Sequence, residues 1–197
     1  DGDLGADGAV LQTGKELIGI DTATGKPRWR TAINKAAIWR EPARAGDAWV
    51  LVDDLNQTME VYDAGSGELR YRLKLDAPLC FDPLYADSGD VFLYTNAKDG
   101  VWVSCLHAAT GQLRWKSSFV ETSSAGAPAA TRGLQGVGMP PLRHQNVLLH
   151  LDVARGVVWP VEITSGRVWS PAKLPDEATA ALGRHIVGWT IQGDSIC

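Results

Sequence analysis

One short pattern recurs along the chain and constrains its fold more than any other feature. Asp21-Thr-Ala-Thr-Gly25-Lys-Pro-Arg-Trp29 is repeated as Asp63-Ala-Gly-Ser-Gly67-Glu-Leu-Arg-Tyr71 and as His107-Ala-Ala-Thr-Gly111-Gln-Leu-Arg-Trp115. A looser fourth copy, Glu162-Ile-Thr-Ser-Gly166-Arg-Val-Trp169, brings the aromatic one residue early. The glycines are spaced by 42, 44 and 55 residues. A unit repeated at that period cannot bury its apolar face alone and must stack on copies of itself. Each copy predicts a hairpin, because an alternating strand such as Met59-Glu-Val-Tyr62 enters the turn and a second strand leaves it. Glycine supplies the positive φ that follows a type I turn, and Asp accepts hydrogen bonds from the turn amides. The aromatic on the outgoing strand is expected to pack against the neighbouring repeat. Asp21, Gly25, Trp29, Asp63, Gly67, Tyr71, Gly111, Trp115, Gly166 and Trp169 are therefore the expected structural residues of the repeat.

Upstream of each hairpin lies another strand pattern, in Ala9–Gln12, Asp47–Val52, Asp90–Tyr94 and Gln145–His150. Ahead of the last three stand Pro42, Pro83 and Pro140-Pro141, suited to a strand that begins with no amide to donate. Four strands per repeat follow. The predicted fold class is all-β, a β-propeller of four-stranded antiparallel blades with about four and a half blades in one domain. The repeats cover about 7–31, 40–75, 80–119 and 140–171, with a partial repeat at 182–197. Residues 121–141, rich in Ala, Gly, Ser and Pro, form an insertion that accounts for the longest spacing. Helix is limited to a turn or two at 34–38 and 176–182. Such an arc exposes strand edges, so it is expected to close with missing blades, another chain or another domain.

Composition narrows the partners. With 45% hydrophobic and 21% charged residues the chain is globular in type, which excludes disorder, collagen and coiled coil. No apolar run approaches the roughly 20 residues of a membrane span. The 23 acidic and 19 basic residues form no basic patch, so nucleic acid is not an expected partner. Asp1 is followed by no basic or apolar leader, so any initiator or signal segment is removed or lies upstream. Cys80, Cys105 and Cys197 are odd in number and widely spaced, which leans towards a reducing, cytoplasmic compartment. One disulfide with one unpaired thiol is the alternative.

The pattern Asp-x-x-Thr-Gly-Lys-x-x-Trp, with its variants at 63–71 and 107–115, resembles the repeat of the PQQ-like β-propeller superfamily. The resemblance runs from about residue 7 to about residue 169. That superfamily includes quinoprotein dehydrogenases, outer-membrane assembly lipoproteins of the BamB type and sensor domains of bacterial kinases. The resemblance thus implies a cell-envelope location, against the lean of the cysteines. It also implies that a quinone-dependent dehydrogenase would have a longer chain, a closed ring of blades, a calcium site and often a vicinal Cys-Cys pair. No two cysteines are adjacent here.

A fold hosts many functions, so the residues must carry the assignment. The carboxylate pairs Asp53-Asp54, Asp87 with Asp90, and Asp176-Glu177 lie beside predicted turns or at a helix start, where Asp is favoured for capping. His107 replaces the turn aspartate, and alternation puts Cys105 and His107 on one face as half of a zinc site with no further ligand identifiable. His144, His150 and His185 have no assigned partner. Gly133-Leu-Gln-Gly136-Val-Gly138 lacks the strand-then-helix setting of a phosphate loop. Trp39, Trp49, Trp102, Trp159 and Trp189 are core residues or, on a binding reading, anchors gathered at one face. No catalytic residue, metal or cofactor is assigned. The expected function is a non-catalytic scaffold for a protein partner, with a ligand-binding sensor as the alternative and a quinone-dependent dehydrogenase fragment as a remote one. The candidate binding loop is the insertion, with Arg132 and Met139, and Arg143 just beyond it; a disordered linker is the competing reading of that segment.

Overall fold

The computed structural model describes residues 8–79, 85–97, 100–119, 141–152, 156–175, 191–192 and 195–196. Among them there is no helix, and so none long and apolar enough to cross a membrane. Residues 34–38, expected to hold a helical turn, make a single turn in which Asn34 Oδ1 accepts the Ala36 amide at 3.0 Å and its carbonyl accepts Ala37 at 3.3 Å. The side-chain acceptor competes with a helical ladder, so the segment stops there. The second expected helix, at 176–182, lies outside the described residues, as do Pro83 and Pro140.

The strands form antiparallel sheets in chain order. β1 (Gly8–Gln12), β2 (Glu16–Asp21) and β3 (Pro27–Ala32) make a three-stranded sheet. β4 (Ala43–Ala45), β5 (Ala48–Asp53), β6 (Thr58–Asp63) and β7 (Leu69–Lys74) make the next, in that order. β8 (Tyr85–Asp87), β9 (Asp90–Ala97), β10 (Gly100–His107) and β11 (Leu113–Ser118) make the third. β12 (Leu142–His144), β13 (Val147–Asp152), β14 (Val157–Glu162) and β15 (Ala172–Lys173) make the fourth. A two-stranded ladder joins β16 (Ile191–Gln192) to β17 (Ser195–Ile196). This is the blade pattern of a partial β-propeller. Each four-stranded sheet starts with a strand of three residues and continues into an apolar one. Every residue of β5, Ala-Trp-Val-Leu-Val-Asp, is buried, whereas β7 carries charged residues on the outermost strand.

The four repeated turns share one geometry. Gly25, Gly67, Gly111 and Gly166 have φ of 66°, 73°, 70° and 72°. In each, the glycine amide donates to the carbonyl four residues back, at 2.7–2.8 Å, on Asp21, Asp63, His107 and Glu162 respectively. Asp21 Oδ1 accepts the Thr24 amide at 2.9 Å, and Asp63 Oδ1 accepts those of Gly65 and Ser66 at 2.9 and 2.8 Å.

These glycines also make room. A Cβ on Gly67 would lie 2.3 Å from the Trp29 ring, on Gly111 2.7 Å from Tyr71, and on Gly166 2.4 Å from Trp115. The polar end of each ring donates to the backbone of the same turn. Trp29 Nε1 reaches the Ala64 carbonyl at 3.0 Å, Tyr71 Oη that of Ala108 at 2.6 Å, and Trp115 Nε1 that of Ile163 at 2.7 Å. Two residues further on, Thr31 and Ser117 hydroxyls donate to the carbonyls of Gly67 and Gly166, each at 2.5 Å. The outgoing strand of one sheet is thereby fastened to the hairpin of the next.

The early aromatic of the fourth repeat has a structural reason. In the first two sheets the pairing of the outgoing strand shifts by one residue, so that Ile20 faces Pro27 while Gly19 faces Trp29, and Tyr62 faces Leu69 while Val61 faces Tyr71. Arg28 and Arg70 are the extra residues of these bulges. In the fourth sheet Val161 bridges Val168 and the Trp169 amide donates to the Pro160 carbonyl at 3.0 Å, with no extra residue between. Losing the bulge residue leaves Trp169 at the cross-strand position of Trp29. Pro171 has no amide to donate, and regular pairing of that strand resumes only at Ala172 and Lys173.

The chain forms two compact units, each with its own core. The first comprises residues 1–78, 86–91 and 106–113, and the second 79–85, 92–105 and 114–197. In the first, Leu17, Ile33, Trp49, Leu51 and Tyr62 cluster, with Trp29 and Trp39 partly buried against them. In the second, Phe92, Tyr94, Val103, Trp115, Phe119 and Trp159 lie among the packed residues. Trp115 meets Phe92 at 5.9 Å between ring centroids as well as the Gly166 turn. Trp115→Ala is therefore expected to cost about 3 to 5 kcal/mol of folding stability, as removal of a large aromatic from a packed core does. Denaturant unfolding measures it, and a variant as stable as the parent would remove the role given to this ring.

Candidate functional site

The sequence-predicted loop residues are not brought together among the described residues. Arg132 and Met139 lie outside them, as does 121–140. Arg143 is on β12, and its Nε donates to the Gln145 carbonyl at 3.0 Å. Arg44, at the same place on β4, donates to the Gly46 carbonyl at 2.6 Å. Both arginines thus brace the tight turn that follows a three-residue strand.

The turn residues of the first unit surround an open cleft of about 490 Å³, lined by Arg28, Arg44, Gly46, Asp47, Asp63, Ala64 and Gly65. The bulge places Arg70 between two carboxylates. Its guanidinium donates to Asp47 Oδ1 and Oδ2 at 2.9 and 2.7 Å and to Asp63 Oδ2 at 2.6 Å. The Arg70 hydrogen bond, with the Ser66 amide next in effect, holds the Asp63 carboxyl down to about 2. Asp47 is lowered mainly by the same guanidinium, and Arg70 is raised by both acids. Asp21 is lowered chiefly by the Thr24 amide, and Arg28 lies 3.5 Å from it. The signal for this network is in the sequence as an Arg before the aromatic in three repeats and absent from the fourth. Its meaning emerges only with the bulge.

Other acids are held by structure. Asp53 is buried, with Oδ1 accepting the amides of Ile38, Leu55 and Asn56 at 3.0–3.2 Å. Asp54 pairs with Arg40 at 2.7 Å. Glu60, also buried, takes the Tyr62 hydroxyl and Arg72 Nε, the latter at 2.7 Å. Burial and the neighbouring Glu60 push the Tyr62 phenol above its usual range. These groups are fully engaged in tying strands together. The side chain of Asp87 and the pair Asp176-Glu177 lie outside the described residues.

The Cys105 thiol is buried in the second unit's core, while His107, the last residue of β10, is exposed where the strand enters the turn, its amide bonded to the Gln112 carbonyl at 2.9 Å. No group of three His, Cys, Asp or Glu is placed to hold a metal among the described residues. His185, Trp189, Cys80 and Cys197 lie outside them. Of the remaining extra tryptophans, Trp49 lies under Arg44 in the first core, with Trp39 packed against the same cluster and its Nε1 donating to the Asn34 carbonyl at 3.0 Å; Trp102 lies under Lys116, and Trp159 is in the second core.

His150, left without an assigned partner by the sequence, lies in a core of aromatic rings. It is 1% exposed, opposite Trp159 on the neighbouring strand, with Phe119 and Tyr94 rings at 5.0 and 5.3 Å. Neither ring nitrogen, nor Trp159 Nε1, has a hydrogen-bond partner among the described residues.

With this geometry in hand, the comparisons bear on kinship. The family described as outer membrane protein assembly factor BamB matches residues 13–181. The chain belongs to this family. No curated protein matches it. Among solved structures, BamB from Moraxella catarrhalis is 20% identical with a TM-score of 0.59, over 86% of this chain and 50% of that one. The quinohemoprotein alcohol dehydrogenase of Comamonas testosteroni is 10% identical with a TM-score of 0.57, over 85% of this chain and 33% of that one. The chain therefore spans half or less of either relative, and both show the fold alone.

Burial lowers the His150 pKa from 6.5 to about 3. The unfolded chain takes up a proton near pH 6.5 that the folded chain refuses down to about pH 3, so the folded state has its full advantage above pH 6.5 and loses it as pH falls. Between pH 7 and 5 this costs about 2 kcal/mol, before carboxylates contribute. Urea unfolding is expected to show that loss in the parent and a flattened profile in His150→Phe; equal slopes in the two proteins would contradict it.

Proposed function

We propose that this chain is a non-catalytic scaffold for protein assembly, in which fastened blades hold loops rigidly for a macromolecular partner. The observation that carries the reading is the family match across residues 13–181. Buried Asp53 and Glu60 are occupied by strand and turn hydrogen bonds, so these two acids serve the blades themselves. The family description names outer-membrane assembly, so a cell-envelope complex is the expected setting. The cleft between Arg28 and Asp63 supports a second reading, a ligand-binding sensor, because it is open and offers charged groups of both signs.

Purification of the full-length product from its native envelope, under mild detergent, separates these readings. The scaffold reading predicts a complex of fixed stoichiometry by native mass spectrometry. A monomer carrying a bound small molecule, or a quinone-dependent alcohol oxidation by the purified protein, would contradict it.

A further inference from the structure

The cleft beside the turns of the second sheet has a one-sided chemistry. Two carboxylates and two guanidiniums line it, yet the carboxylates are already occupied. Arg70 donates to both oxygens of Asp47 and to Asp63 Oδ2, while Asp63 Oδ1 accepts the Gly65 and Ser66 amides and the Ser66 hydroxyl. Arg44 is different. It uses one donor, Nε, on the Gly46 carbonyl at 2.6 Å, and its guanidinium carbon lies 5.1 Å from the centre of the Trp49 ring. A guanidinium carries five N–H groups in one plane, so the four on the terminal nitrogens remain, without a partner among the described residues, while the turn and the ring hold the plane in place. Arg28, from the preceding sheet, adds a second cation to the lining.

We propose that this cleft binds small monocarboxylic acids, with the carboxylate of the ligand lying across the terminal nitrogens of Arg44. The inference rests on the ligand-binding reading of the cleft and names the class of ligand. The unused groups are donors, so the ligand must accept hydrogen bonds. The edge of a guanidinium presents two parallel N–H groups, which match the two oxygens of a carboxylate. A more highly charged anion fits less well, because the Asp47 side chain is 75% exposed and Arg70 holds it ionised beside the cleft. A phosphate monoester, with two negative charges, meets that carboxylate with more repulsion than a carboxylate ligand does. The volume of about 490 Å³ lies within the roughly 300 to 1,000 Å³ of small-molecule sites. The cleft is open to water, so the affinity for a simple acid is weak, on the order of millimolar.

Three probes that share a ring and differ in the head group test it: benzoate, benzamide and phenyl phosphate, titrated into the purified protein at neutral pH and constant ionic strength and followed by saturation-transfer NMR. Benzoate is expected to bind, phenyl phosphate to bind several-fold more weakly, and benzamide to give no saturable signal. Arg44→Gln is expected to weaken benzoate by about fivefold or more, as loss of a charged hydrogen-bond partner does. Asp47→Asn is expected to narrow the gap between benzoate and phenyl phosphate. Arg44 also braces a turn, so thermal melts check that its variant folds as the parent does. If it does not, the Arg44 Nε–H resonance of the parent carries the test, shifting with benzoate and staying still with benzamide. Benzamide or phenyl phosphate binding as tightly as benzoate would overturn the proposed class and leave the cleft a ligand site. Binding of none of the three, or benzoate binding that neither Arg44→Gln nor the Arg44 resonance registers, would overturn the proposal and the ligand-binding reading of the cleft together.

Discussion

The fold depends on an aromatic ring lying in the space a glycine leaves open. The joint asks two things of one residue, a left-handed backbone to complete the turn and the absence of a Cβ so that the neighbouring ring can approach. Only glycine meets both at low cost. The ring buries its apolar face and still satisfies its polar edge on a turn carbonyl, so no donor is stranded by the burial. Trp29 shows how tight this is: a Cβ on Gly19 of its own sheet would lie 2.2 Å from the indole, and one on Gly67 would lie 2.3 Å from it. The ring is held between two glycines from two sheets.

Once the joints are fixed, the polar residues fall into place around them. The bulge that brings Trp29 and Tyr71 to the slot also expels Arg28 and Arg70 towards the turn aspartates, where Arg70 binds Asp47 and Asp63 together. The fourth repeat has no extra residue, and so no arginine, immediately before its aromatic, and its tryptophan still reaches the same cross-strand position. Charged residues near the turns therefore serve the architecture first.

Much of the fold was legible in the chain because the repeat is carried by residue types with narrow backbone or steric requirements. The spacing of Asp, Gly and aromatic gives the hairpins, and alternation in segments such as Ala48–Asp53 gives the inner strands. Less was legible of the site. Cys105 and His107 alternate along β10, but the first is buried in the core while the second, at the strand's last residue, is exposed. Arg143 read as a loop residue, whereas its guanidinium braces a turn through a backbone carbonyl that no side-chain pattern marks. His150 sits in an apolar strand and gives no local signal; its burial among aromatic rings depends on Tyr94 and Trp159 from two other strands and on Phe119 just after β11.

The central claim is that glycine in these turns is needed for the ring as well as for the turn. Gly25 and Gly67 separate the two demands, since both have positive φ but only Gly67 has a ring against it. The direct measurement is the unfolding free energy of Gly25→Ala and Gly67→Ala in dilute solution. Both lose stability through backbone strain, and Gly67→Ala is predicted to lose about 1 to 3 kcal/mol more, the cost of overpacking a joint that cannot yield. Equal losses at the two positions would contradict the account, because the ring would then place no demand on the glycine beneath it.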